Sequence, residues 1–230
     1  MRPILLLLAF AAGPVAAAER VYSVSDFDRI EVRGPYRVTL ATGRASSARA
    51  EGSPAALDRV SIDVQGRTLR IRGNPSAWGG NPDERDGPVA VRVTTRDLSA
   101  AAVIGPGDLA IDRVGGLRVD LSVSGAGELS VAALQADNAV VGLVGAGVIT
   151  LGGKAKQLRA AVQGSGDLKA SGLTVDDVTL SVEGPGFVEV GAARSAKIAT
   201  TGAGDIVVGG RPACTVANRG SGTVRCGPAG

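Results

Sequence analysis

The sequence predicts an all-β fold, a right-handed parallel β-helix, on three observations. A Gly-x-Gly triplet recurs seven times at nearly constant spacing. The residues on both sides of each triplet alternate between apolar and polar. Glycine supplies 34 of the 230 residues while aromatics make up only 3%, so any core is narrow, built from stacked Val, Leu, Ile and Ala. A repeat near 20 residues is the mark of a solenoid, in which each unit buries its apolar face only against its neighbours.

The triplets are Gly105-Pro106-Gly107, Gly125-Ala126-Gly127, Gly145-Ala146-Gly147, Gly164-Ser165-Gly166, Gly184-Pro185-Gly186, Gly202-Ala203-Gly204 and Gly220-Ser221-Gly222. Two residues before the first Gly stand Val103, Val123, Leu143, Val162, Val182, Thr200 and Asn218. Two after the second Gly stand Leu109, Leu129, Ile149, Leu168, Val188, Ile206 and Val224. Apolar columns also stand four residues out on each side, giving the period-2 pattern of half-buried strands. Each unit therefore reads as strand, glycine bend, strand and a short link. The link carries a weaker apolar column, Val114, Leu134, Leu173 and Ala193, which Lys154 and Arg211 interrupt. A bend this sharp needs positive φ or a close backbone approach, and glycine permits both. A meander with each triplet as a hairpin turn gives the same parity; the constant period favours about seven stacked coils.

Ahead of these regular repeats (98–226) lies a degenerate stretch, 19–97. Ile30 and Val32, then Gly34-Pro35-Tyr36, then Val38 and Leu40 read as an eighth copy that has lost its second Gly. Val60, Ile62 and Val64 alternate before a turn into Leu69 and Ile71, and Val89, Val91 and Val93 form a further strand. Irregular terminal repeats are expected where a ladder must be capped. Between them, residues 73–88 (GNPSAWGGNPDERDGP) read as a long loop.

Residues 1–18 read as a signal peptide: Arg2, an apolar run from Ile4 to Ala12, and Ala16-Ala17-Ala18 before cleavage. That run is too short to span a bilayer, and no later segment is long enough. The mature chain, 19–230, is expected to be one exported domain at the periplasm or cell surface. With Arg2 removed, 24 basic and 22 acidic side chains remain. They are dispersed, which disfavours nucleic acid as a partner.

The chain contains no His, so the commonest general base and metal ligand are missing. No catalytic residue, cofactor or metal site is expected. The acidic residues after the second Gly, Asp108, Glu128, Asp167 and Asp205, form the best carboxylate column. Stacking places Asp108 and Glu128 on adjacent coils, but Val148, Phe187 and Thr223 interrupt the series. Solvated charges that resist edge pairing are the simpler reading. Trp78, near Asp83 and Arg85 in the 73–88 loop, is the candidate ligand contact, through stacking on a sugar or anchoring a protein; capping of the solenoid is the plainer alternative. Cys214 and Cys226 both fall in inward columns of the last coil, and export favours a disulfide between them.

The opening FDRIEVRGPYRVTLATG, the later VSIDVQGRTLRIRG and units such as Gly164-Ser165-Gly166-Asp167-Leu168 resemble the bacterial family called putative auto-transporter adhesin, head GIN domain. The resemblance covers roughly residues 24 to 226. It implies a right-handed parallel β-helix in an exported protein and brings no catalytic residues. The sequence thus points to a non-enzymatic envelope or adhesion module for an extended polysaccharide or another envelope protein. The alternatives are a carbohydrate-active enzyme on the same scaffold and a structural protein that assembles through its ends.

Overall fold

The structure, a computed structural model, describes residues 18–74 and 89–227. The signal peptide call (1–17 of it), the interior of the 73–88 loop and the last three residues lie outside the described residues. Short strands come first: β1 (Ala18–Tyr22), β2 (Arg29–Arg33), β3 (Arg37–Ala41), β4 (Ser47–Gly52), helix α1 (Pro54–Asp58), β5 (Val60–Gln65), β6 (Thr68–Gly73), β7 (Ala90–Thr94) and β8 (Ala100–Ile104). Long strands follow: β9 (Asp108–Gly125), β10 (Glu128–Gly145), β11 (Val148–Gly164), β12 (Asp167–Glu183) and β13 (Phe187–Thr201). The chain closes with β14 (Asp205–Gly210), β15 (Ala213–Asn218) and β16 (Val224–Cys226).

Every pairing from β8 to β16 is parallel, which excludes the hairpin meander and makes the fold a β-solenoid. It winds about six turns, one fewer than the seven coils expected, because seven successive corners bound six turns. Identical repeat positions stack in register: Leu109, Leu129, Ile149 and Leu168 form one inward ladder and Val123, Leu143, Val162 and Val182 another, all nearly inaccessible.

The corners need glycine for two different reasons. Gly145 takes φ 111°, a conformation L side chains rarely adopt. Gly147 has no such φ, but a Cβ there would lie 2.5 Å from the Gly127 carbonyl oxygen one coil back. The corner backbones continue the ladder, with Ala146 N donating to Gly125 O at 2.9 Å and Val148 N to Gly127 O at 3.0 Å.

The link differs from the expectation. The strands run on through it, and register shifts there, between Val131 and Leu134, Thr150 and Gly152, and Ala170 and Thr174, absorb the 18- to 20-residue variation in spacing. Gly153, not Lys154, therefore pairs with Leu134. Ala193 is exposed while Ala192 is buried. A further inward column, Ala136, Ala155, Val175 and Ala192, completes this wall.

The N-terminal coils stack out of sequence order. β2 lies between β6 and β8, and β3 between β7 and β9. Gly34-Pro35-Tyr36 thus sits on Gly105-Pro106-Gly107, with Gly34 N donating to Ile104 O at 3.1 Å and Asp108 N to Tyr36 O at 2.9 Å. The outermost coil leaves β6 at Gly73 and resumes at β7. Tyr36 stands where the other copies have their second Gly. Its ring is buried, with the hydroxyl close to Gly73. Three strands run antiparallel over this end: β5 on β6, β4 on β7 and β1 on β4. Helix α1, capped by Ser53 Oγ accepting from Ala56 N at 3.1 Å, adds Leu57 to the core.

Candidate binding surfaces

The carboxylate column is real in part. Asp108 and Glu128 are register partners on adjacent coils, and Val148 and Asp167 continue the row. Asp108 stands 3.9 Å from the Arg37 guanidinium. Asp205, lower in the stack, accepts the Thr223 hydroxyl and the Thr223 backbone N–H at 3.1 Å. These hydrogen bonds hold its carboxyl below the ordinary value. Among the described residues, no group of three or more acidic, Cys or His side chains gathers as a metal site.

Cys214 and Cys226 form a disulfide with Cα atoms 6.5 Å apart. It joins the two walls of the last coil, since Cys214 pairs with Ala196 on one and Cys226 with Val208 on the other. Trp78, Asp83 and Arg85 lie outside the described residues.

A surface that repeat counting missed lies on the link wall. A groove of about 750 Å³ runs there across four successive coils. Its floor is backbone and small side chains, including Gly115, Gly116, Ala136 and Ala155. Gln135, Lys154 and Thr174 share one register across it. Asp137, Lys156 and Asp176 occupy the next outward position, and Arg194 continues the series. Their charges alternate and pair: Lys156 Nζ to Asp137 at 2.8 Å, and Arg194 to Asp176 at 3.7 Å and to Asp177 at 2.6 Å. The hydrogen bond that Lys156 donates to Asp137, reinforced by the Asp137 charge, raises the Lys156 pKa. Arg113 and Leu117 form one end of the groove, with Leu117 79% exposed. Steps of 19, 20 and 18 residues from Asp137 to Arg194 were the signal available in the sequence; the register shifts hid it.

The wall before each glycine corner carries a different pattern. Its middle outward column is Ala102, Ser122, Gly142, Ala161, Ser181, Ala199 and Ala217. This leaves a flat strip down the solenoid.

The model of one protein family, putative auto-transporter adhesin, head GIN domain, matches residues 26–212. The chain belongs to this family. Solved structures share the GIN-domain fold. A putative adhesin from Bacteroides fragilis is 22% identical with a TM-score of 0.82, over 91% of this chain and 96% of that one. A putative adhesin from Parabacteroides distasonis is 26% identical with a TM-score of 0.70, over 92% and 97%. A protein described as putative lipid binding, from the same species, is 20% identical with a TM-score of 0.75, over 95% and 98%. No curated protein matches the chain. Membership of the GIN-domain family fits an exported or surface protein. Among the described residues, no helix is long and apolar enough to cross a membrane.

Proposed function

We propose that this chain is an exported, non-enzymatic binding module of the cell surface that holds an extended ligand along the side of its solenoid. The observation that carries this reading is the link-wall groove. It is within the usual size range of ligand sites, it crosses four coils, and it lies on a wall fixed by parallel hydrogen-bonded ladders. A ladder presents similar groups at each coil, roughly every 4.8 Å, which suits a polymer better than a compact metabolite.

The carbohydrate-active alternative needs two carboxyls with divided roles, one of them a proton donor. In the groove, Asp137 is paired with Lys156 at 2.8 Å, and Asp176 lies 3.7 Å from Arg194. That arrangement favours holding a ligand over cleaving it. The adhesin description of the family and of two fold relatives points the same way.

The test is to incubate the purified chain, residues 19–230, with a panel of envelope and matrix polysaccharides and follow both binding and polymer length. Saturable, reversible binding with polymer length unchanged is expected. Shortened chains or new reducing ends would overturn the reading in favour of an enzyme.

A further inference from the structure

We infer that the link-wall groove is a site for an acidic sugar chain, one bearing carboxylate or sulfate groups, anchored by Arg113 and Lys154. This deepens the binding-module reading and rests on it. Lys156 in the groove is paired with Asp137, and Asp176 stands 3.7 Å from Arg194 beside it. Arg113 and Lys154 differ. Both side chains are exposed, and among the described residues neither pairs with a carboxylate. Asp112, beside Arg113 in sequence, accepts the backbone N–H of Thr42 at 3.0 Å, the Thr42 hydroxyl at 3.1 Å and the backbone N–H of Arg113 at 2.5 Å, and makes no ion pair with the Arg113 guanidinium. The groove lining thus carries three cations, Arg113, Lys154 and Lys156, against two carboxylates, Asp137 and Asp176, and Arg113 and Lys154 are the two cations without a carboxylate partner among the described residues.

The geometry of those charges suits a polymer. Arg113 and Lys154 lie two coils apart, roughly 10 Å along the axis by strand spacing. Between them Gln135 presents an amide that both donates and accepts, as sugar hydroxyls require. Leu117 supplies an apolar edge.

Two rival ligands fit less well. A neutral glycan is held mainly by aromatic faces, and among the described residues no aromatic side chain lines this groove. A peptide adding as a strand needs free backbone N–H and C=O groups, but here the backbone groups are already paired coil to coil. What remains is recognition by side-chain charge and amide, which selects an anionic sugar.

The experiment measures binding of residues 19–230 to a galacturonic acid hexamer, a neutral galactose hexamer and poly-glutamate, at low and physiological salt. The uronate hexamer is expected to bind best, more weakly as salt rises, with the other two at least about ten-fold weaker. Arg113→Ala and Lys154→Ala should each weaken it about five-fold, the scale of one exposed ion pair, and the double variant about twenty-fold or more. Both side chains are exposed, so thermal melting should be unchanged, and Trp78→Ala should leave uronate binding intact. Uronate binding that survives the double variant, or depends on Trp78, would overturn the groove assignment while leaving the binding-module reading in place. Equal binding of the neutral hexamer or of poly-glutamate would overturn the ligand class, and no sugar binding would overturn the inference outright. Shortening of the hexamer would instead overturn the non-enzymatic reading on which it rests.

Discussion

Adding one methyl group to the stacked corner tests the architecture most directly. In Gly147→Ala the new Cβ would lie 2.5 Å from Gly127 O and 2.7 Å from Val123 Cγ1. Ordinary contact begins near 3.4 Å, so the two corners must part by about 0.9 Å. Gly127 O is the acceptor for Val148 N, and losing that bond costs about 1 kcal/mol. Displaced packing in a tight core adds about 1–3 kcal/mol. Against this, alanine gains about 0.4–1 kcal/mol by restricting the unfolded chain. The net expectation is a loss of about 2–3 kcal/mol. Gly142→Ala is the matched control in the same coil. Its Cβ would point outward and meet nothing closer than Ser122 Cβ at 4.0 Å, so only the gain of about 0.4–1 kcal/mol remains. The two variants should straddle the parent protein in thermal melting, separated by about 6–12 °C for a chain of this size. Melting points within about 2 °C of each other would mean that the corners do not stack as described.

Two further predictions concern the last coil. Replacing Cys214 and Cys226 by Ser should remove about 3 kcal/mol of stability, and the loss should be local: amide exchange should accelerate over 213–226 and stay slow over 100–190. Asp205 predicts an acid-sensitive step in the same coil. A carboxyl whose folded pKa is depressed contributes stability above its unfolded value, near 3.8, and loses it as pH falls through the lower folded one. Relative to intrinsic exchange rates, protection at Thr223 and Val224 should therefore fall with acid, and Asp205→Asn should abolish that pH dependence.

The repeat made most of the solenoid legible before any coordinates. Alternation about the triplets placed Leu109 to Ile206 and Val103 to Val182 inward, and both ladders are buried. Cys214 and Cys226 were readable for the same reason, because both fell in inward columns of one coil. Pattern fails where it reports burial but not partners. Ile30 to Leu40 read as a corner copy, yet nothing local says that it stacks between 68–94 and 100–112 rather than in sequence order. β4 was invisible because only Ala48 and Ala50 face inward in SARAEG, too weak an apolar signal to stand out. The groove escaped through a counting error with a physical cause. A fixed offset from the second Gly assigned Lys154 and Ala193 to an inward column, whereas the bulges of the link set Gly153 against Leu134 and bury Ala192. Once the register is corrected, the alternating charges of Asp137, Lys156, Asp176 and Arg194 fall on one outward row.

The two ends of the stack bear on whether such solenoids join end to end. Parallel ladders leave an open edge at each end, and an open edge recruits another strand unless something prevents it. At the N-terminal end β5 and β4 run antiparallel to the coils, and β1, paired outside β4, carries Glu19 and Arg20. At the C-terminal end β15 is exposed at every residue, and the inward column changes character. After Val182 it continues with Thr200 and then Asn218, whose amide spans the last corner, donating to Gly222 O at 2.9 Å and accepting from Gly220 N at 3.0 Å. Pro212 precedes this strand without a backbone N–H to offer, and Arg211, Arg219 and Arg225 are the only charged residues after Asp205. A docking second copy would bury those like charges against whatever it brought, and would have to desolvate Asn218. Both ends therefore carry the devices that block edge pairing, and the chain should remain monomeric as its concentration rises. Sedimentation velocity over a hundred-fold dilution series, at low and high salt, measures this. A mass that grows with concentration in both would show that these caps fail, and would revive assembly through the solenoid ends.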